Sequence, residues 1–229
     1  MVELGQSSSC ILIPFRRRYA LLWLIPKFAR VSLIAMLPLT LHPTEHRLPL
    51  HEVEFLFHRL AADRLLLRFK LAKGGSVELR PLSEKPERRD ELWKQSCFEC
   101  FMVNAAHRGP NAHYMEWNLS PSGDWQAYWF SGYRQGRVDA TLAPELAAPR
   151  SSRRQEGDSL IFEFQIPIPV QLQNVGFEMG VSAVMQDSTM PGAEPFYWAF
   201  AHREEKPDFH SRQAMLVIVP DFREPELRA

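Results

Sequence analysis

The stretch Tyr114-Met115-Glu116-Trp117-Asn118-Leu119-Ser120-Pro121-Ser122-Gly123-Asp124-Trp125-Gln126-Ala127-Tyr128-Trp129-Phe130 decides the fold class. Two runs of six residues, rich in aromatic side chains, flank Pro121-Ser122-Gly123-Asp124, whose residues favour a tight reversal of the chain. The reading is a β-hairpin. Side chains alternate across a strand, so Met115, Trp117 and Leu119 share one face and Tyr114, Glu116 and Asn118 the other. The first set reads as core. The second puts a ring, a carboxylate and an amide on one surface.

The same period of two extends outward in both directions. Val53, Phe55 and Phe57 alternate with Glu54, Leu56 and His58, and Leu65, Leu67 and Phe69 with Leu66, Arg68 and Lys70. Gly74-Gly75 marks a turn before a short strand at Ser76–Arg80. Cys97–Asn104 is a nearly continuous apolar run and reads as a strand buried on both faces. Leu160, Phe162, Phe164 and Ile166 alternate with Ile161, Glu163 and Gln165, and further strands are expected at Phe177–Gln186 and Gln213–Val219. Residues 81–90 and 139–158 read as loops, and Val170–Val175 as one helical turn. No long amphipathic helix is present. The class is all-β: an antiparallel, immunoglobulin-like β-sandwich of about eight to ten strands with short helical turns.

Charge narrows the function classes. The 229 residues hold 27 basic and 27 acidic side chains. No basic excess marks a nucleic-acid binder working through phosphates. The balance is uneven, however: residues 1–35 carry a net +4 and residues 36–229 a net −4. The basic head, with Arg16, Arg17, Arg18, Lys27 and Arg30, has no uncharged apolar run long enough to span a bilayer, so stable membrane insertion is not expected. It is read as an extension outside the fold, with the folded domain at residues 36–229; a leader or membrane-surface role is the alternative. Three cysteines do not make a disulfide framework, which favours a reducing, cytoplasmic setting unless the head acts as an export leader.

Candidate chemistry is sparse. Cys97 and Cys100 have C-x-x-C spacing, but on a strand residues three apart face opposite ways, so neither a redox pair nor a metal site is expected. Glu99, inside an apolar run, requires an arginine or several donors, or its pKa rises; a buried ion pair is the favoured reading and a ligand-facing acid the alternative. No nucleophile elbow, P-loop or dinucleotide fingerprint occurs, so no enzyme is expected. Six of the eleven Trp and Tyr residues fall between 114 and 133. Rings beside a carboxylate and an amide suit sugars, whose C–H faces stack while hydroxyls take paired donors and acceptors; an ordinary solvated sheet face is the competing reading.

Taken together, Asp90-Glu91-Leu92-Trp93, Cys97-Phe98-Glu99, Glu116 through Trp125, Tyr128, Tyr133-Arg134, Tyr197-Trp198-Ala199 and Lys206-Pro207-Asp208-Phe209-His210 resemble the pattern of bacterial DOMON-like domains, which are related to family 9 carbohydrate-binding modules. The resemblance covers roughly residues 38–220. It implies a non-catalytic sandwich binding a carbohydrate or sugar-containing ligand, with no cofactor and no metal. Trp93, Trp125 and Trp198 are the tryptophans it carries over, and Glu116, Asn118, Tyr128 and His202 complete the candidate contacts. Two alternatives remain: a haem-binding electron-transfer domain drawing on Met179, Met185, Met190, Met215, His202 or His210, and a structural or interaction sandwich without a small-molecule site.

Overall fold

The computed structural model describes residues 36–47, 51–72, 77, 79–107, 109, 112–139 and 146–222. Two antiparallel sheets face each other. The smaller is built from β1 (Leu37–Pro38), β3 (Glu52–Ala61), β4 (Arg64–Ala72), β9 (Arg150–Glu156) and β10 (Ser159–Pro167), in the order β1-β3-β4-β10-β9. The larger comprises β2 (Thr40–Leu41), β5 (Cys97–Asn104), β6 (Tyr114–Leu119), β7 (Trp125–Phe130), β8 (Val138–Asp139), β11 (Phe177–Met185) and β12 (Phe196–Ala199). Its order is β2-β12-β11-β5-β6-β7-β8, and β13 (Val217–Val219) pairs with β11 beyond the end of β12.

The period of two does the sorting. Val53, Phe55, Phe57, Leu65, Leu67, Phe69, Phe162, Phe164 and Ile166 turn inward from the small sheet and meet Phe98, Cys100, Met102, Met115, Trp117, Ala127, Met179 and Val181 from the large one. The outer face of the small sheet is wet, and its charges pair across strands: Arg68 and Arg154 with Glu163, and Lys70 with Glu54. The large sheet differs. Strand β6 is buried along its whole length, and β5 nearly so. A second cluster covers its outer face, made of Phe101, Val103, Tyr114, Tyr128, Phe130, Val184, Phe209 and Met215.

That cover is a strap following β12. Phe209 packs near Tyr197, His210 lies edge-on to Phe101 and Phe130, and Met215 lies over β11. The crossing is possible because β11 has no side chain at Gly180: a Cβ there would sit 3.1 Å from Met215 Cγ. The hairpin turn has the expected glycine, Gly123, at φ 93°, a conformation that costs other residues energy.

Two expectations change. Residues 150–156, read as loop, form edge strand β9; both its faces are largely solvated, so no hydrophobic alternation marks it. The last strand is three residues long, because Arg212–Ala214 coil into a short 3-10 turn of the strap. Within the expected strand at 76–80, Val77 bridges to Asp187, and Ser76 and Glu78 lie outside the described residues. The helical turn is present as α1 (Val170–Gln173). The expectation for residues 1–35 and the Gly74-Gly75 turn lie outside the described residues. Among the described residues no helix is long and apolar enough to cross a membrane.

Candidate functional site

Strand register builds a polar row across the outer face of the large sheet. Ser182 on β11 lies opposite Glu99 on β5, Glu99 opposite Asn118 on β6, and Asn118 opposite Gln126 on β7. One step along, Gly180, Phe101, Glu116, Tyr128 and Asp139 form the next row. Because i and i+2 share a face, Glu116 and Asn118 emerge side by side, and Asn118 Nδ2 donates to Glu116 Oε1 at 2.6 Å. Ser182 Oγ donates to Glu99 Oε2 at 2.6 Å, and the Cys97 thiol lies 3.6 Å from Asn118 Oδ1 as a weak donor.

The electrostatics are unusual for an outer sheet face. Burial pushes the Glu99 carboxyl up to about 8, with the neighbouring Glu116 adding to the shift, while the Ser182 hydrogen bond and Arg134 oppose it. Burial likewise raises Glu116 to about 7, against the pull of Asn118, Arg137 and Arg134. Near neutral pH the pair therefore keeps proton character and can both donate and accept. The ion pair expected for Glu99 does not form among the described residues; a serine hydroxyl takes its place. Cys97 and Cys100 are buried and free on opposite faces of β5, and burial raises both thiols.

Around this floor stand rings and cations. Trp93, in the 3-10 turn Leu92–Lys94 packed against β5 and β6, is half-buried, and its ring lies 5.9 Å from that of Tyr128. The Tyr128 hydroxyl donates to Asp90. Tyr197 is half-buried on the same outer face. The strap is fastened by Asp208, which accepts from Tyr133 and, at 2.9 Å, from Arg134. The Tyr114 hydroxyl accepts from the Arg134 backbone N–H and hydrogen-bonds to His210 Nδ1 at 2.7 Å. His210 Nε2 then faces Glu116 Oε2 at 3.9 Å, and burial pushes this imidazole down to about 4, so it is neutral.

The structure brings four of the seven candidate residues together: Trp93, Glu116, Asn118 and Tyr128. Trp125 and Trp198 turn inward instead. Trp125 lies opposite Leu119 in the hairpin register and tilts against Trp117 in the core, with Arg88 over its ring. Trp198 lies between the sheets, 5.8 Å from His51. His202 sits beside the β2–β12 edge, where Nε2 bonds to the Thr40 carbonyl at 2.8 Å and the ring meets His42 edge-on. Residues at the site beyond the seven candidates are Glu99, Ser182, Arg134, Arg137, Tyr197 and His210. The methionines offered for haem are divided: Met179 and Met185 are in the intersheet core and Met215 is on the outer face with His210. Among the described residues no group of three or more His, Cys, Asp or Glu is arranged to hold a metal ion.

Two hollows accompany the sheet. One of about 260 Å³ runs under the strap and is lined by Tyr114, Tyr133, His210, Arg212 and Met215. The other, about 780 Å³, opens at one end of the sandwich by Met102, Asn104, His107, His113, Trp129 and Gln171, and contains none of the seven candidates. None of the seven candidates lines the first hollow either; it borders the acidic array through His210, whose Nε2 faces Glu116.

No protein-family model matches the chain, and no curated protein does. Among solved structures, a Bacteroides uniformis protein named as a "putative carbohydrate-binding protein" has a TM-score of 0.55 at 14% identity, covering 79% of this chain and 83% of that one. Two structures of a family 9 carbohydrate-binding module from Caldicellulosiruptor kristjanssonii, one with cellotriose and one with glucose, score 0.37 at 12% and 11% identity. They cover 71% and 68% of this chain, and 71% and 69% of their own. The first likeness shows a shared fold; the other two are too loose to add to it.

Proposed function

We propose that this chain is a non-catalytic, DOMON-like sandwich that binds a carbohydrate on the outer face of its large sheet. Glu116, Asn118 and Glu99 form the hydroxyl-reading floor, and Trp93 and Tyr128 the aromatic wall. The observation that carries the reading is the buried Ser182–Glu99–Asn118–Glu116 array. Two carboxylates held side by side in a desolvated place destabilise a fold, and apolar residues of similar volume would pack there at less cost. Such an array is a mark of a functional site. Groups that donate and accept beside a half-buried tryptophan ring suit a polyol. The Bacteroides uniformis protein that shares this sandwich bears a carbohydrate-binding name, which supports the same reading.

A hexose has about twelve heavy atoms, so at roughly 0.3–0.5 kcal/mol per atom its Kd is expected at about 0.04–2 mM. Titration with a panel of mono- and oligosaccharides, followed by tryptophan fluorescence, should give a saturable response in that range. Trp93→Ala should weaken it at least about tenfold. No saturable response from any sugar of the panel would contradict the proposal.

A further inference from the structure

Among the described residues, four arginines around the outer face are held by acids. Arg88 reaches Asp139, Arg89 reaches Asp124 and Glu87, Arg134 reaches Asp208, and Arg212 reaches Glu178. Arg137 makes no ion pair or hydrogen bond through its guanidinium among the described residues. It follows Gly136, whose φ of 58° turns the chain back toward β7, and its guanidinium carbon lies 5.3 Å over the Trp93 ring and 4.9 Å over the Tyr128 ring.

We propose that the ligand is an acidic sugar, a saccharide bearing a carboxylate such as a uronic acid, and that Arg137 reads its acid group. This rests on the carbohydrate reading above and narrows it. Contact with ring faces spends none of a guanidinium's N–H donors. Their planar fork matches a carboxylate in a two-point contact, which a lone hydroxyl cannot use in full. The two rings hold it in place, so little freedom is lost when it engages. The floor does not repel an anion as two ionised acids would: burial keeps proton on Glu99 and Glu116 near neutrality, and Arg137 is close enough to pull against that shift at Glu116. Glu116, backed by the buried Asn118, then takes a ring hydroxyl while Arg137 takes the acid.

Calorimetric titration of the full chain with glucuronate, galacturonate, glucose and galactose tests this. Each uronate is expected to bind about tenfold tighter than its neutral counterpart, with the advantage shrinking as salt rises. In Arg137→Gln the ratio of uronate to neutral affinity should fall to about one; in Arg137→Lys, which keeps the charge but not the fork, it should lie between. Equal affinities in the parent protein would overturn the acidic-sugar assignment and leave the carbohydrate reading standing. A preference that persists in Arg137→Gln, confirmed folded by its thermal transition, would overturn the role of Arg137. No binding of any of the four sugars would count against both readings.

Discussion

Glu99→Gln is expected to melt close to the parent protein at pH 5 and well above it at pH 9. Burial and the nearby Glu116 hold the Glu99 carboxyl at about 8, above the 4.5 of an exposed glutamate. The folded state thus keeps a proton that the unfolded chain releases. Stability that is complete below about pH 4.5 is then lost as pH rises toward and through 8. Glutamine fills the same space, can still accept from Ser182, and cannot ionise; it also removes the charge at position 99 that the neighbouring Glu116 disfavours. The advantage of the variant should grow by about 2–4 kcal/mol between pH 5 and 9, or roughly 5–15 °C for a domain of this size. Groups that titrate in both proteins, such as His210 and Asp208, largely cancel in the comparison. An advantage that stays flat over this range would show that Glu99 is ionised throughout, as in the ion pair first expected for it. Sugar binding should fall in the same variant if the acid is part of the floor.

The second large effect is expected far from the site. Arg59 is 1% exposed at the end of β3, within the fold. Its guanidinium donates to the carbonyls of Pro220 at 2.6 Å, Ala62 at 3.2 Å, and Leu172 and Gln173 at the end of α1, and it lies over the rings of Phe177 and Phe222. One planar fork therefore satisfies the open carbonyls of α1 and pins the chain beyond β13. Removing it leaves several carbonyls without donors as well as a cavity. Arg59→Ala should cost about 3–5 kcal/mol in urea denaturation. Arg68→Ala, which breaks the half-exposed pair with Glu163, should cost no more than about 1 kcal/mol. Hydrogen exchange in Arg59→Ala should quicken first at Val217–Val219, the strand nearest the pin. Comparable losses in the two variants would show that Arg59 is no such pin.

Alternation revealed the strands with one dry and one wet face, β3, β4 and β10, whereas β5 showed as a continuous apolar run and the buried β6–β7 hairpin through its turn residues. β9 is polar on both faces and left no alternation. The strap could not be read either, since its hydrophobic residues Phe209 and Met215 pack against a sheet rather than belonging to one. At the site, parity was enough to put Glu116 and Asn118 together. Applied more strictly, it would also have turned Trp125 inward, opposite Leu119, and Trp198 inward, between Phe196 and Phe200. Ser182 as the partner of Glu99 depends on pairing across 83 positions, which no local pattern encodes. Arg137 comes over the rings only because a glycine turn folds it back.

The tryptophans allow the central claim to be tested at single residues. Trp93 stands at the polar floor, Trp129 lines the larger hollow at the sandwich end, and Trp117, Trp125 and Trp198 are packed between the sheets. In protein labelled with ¹⁵N at the indole nitrogens, saturating sugar should shift the Trp93 resonance strongly and leave those of Trp117, Trp125, Trp129 and Trp198 nearly in place. A shift at Trp129 with Trp93 unmoved would place the ligand at the other hollow and contradict the assignment of the outer face.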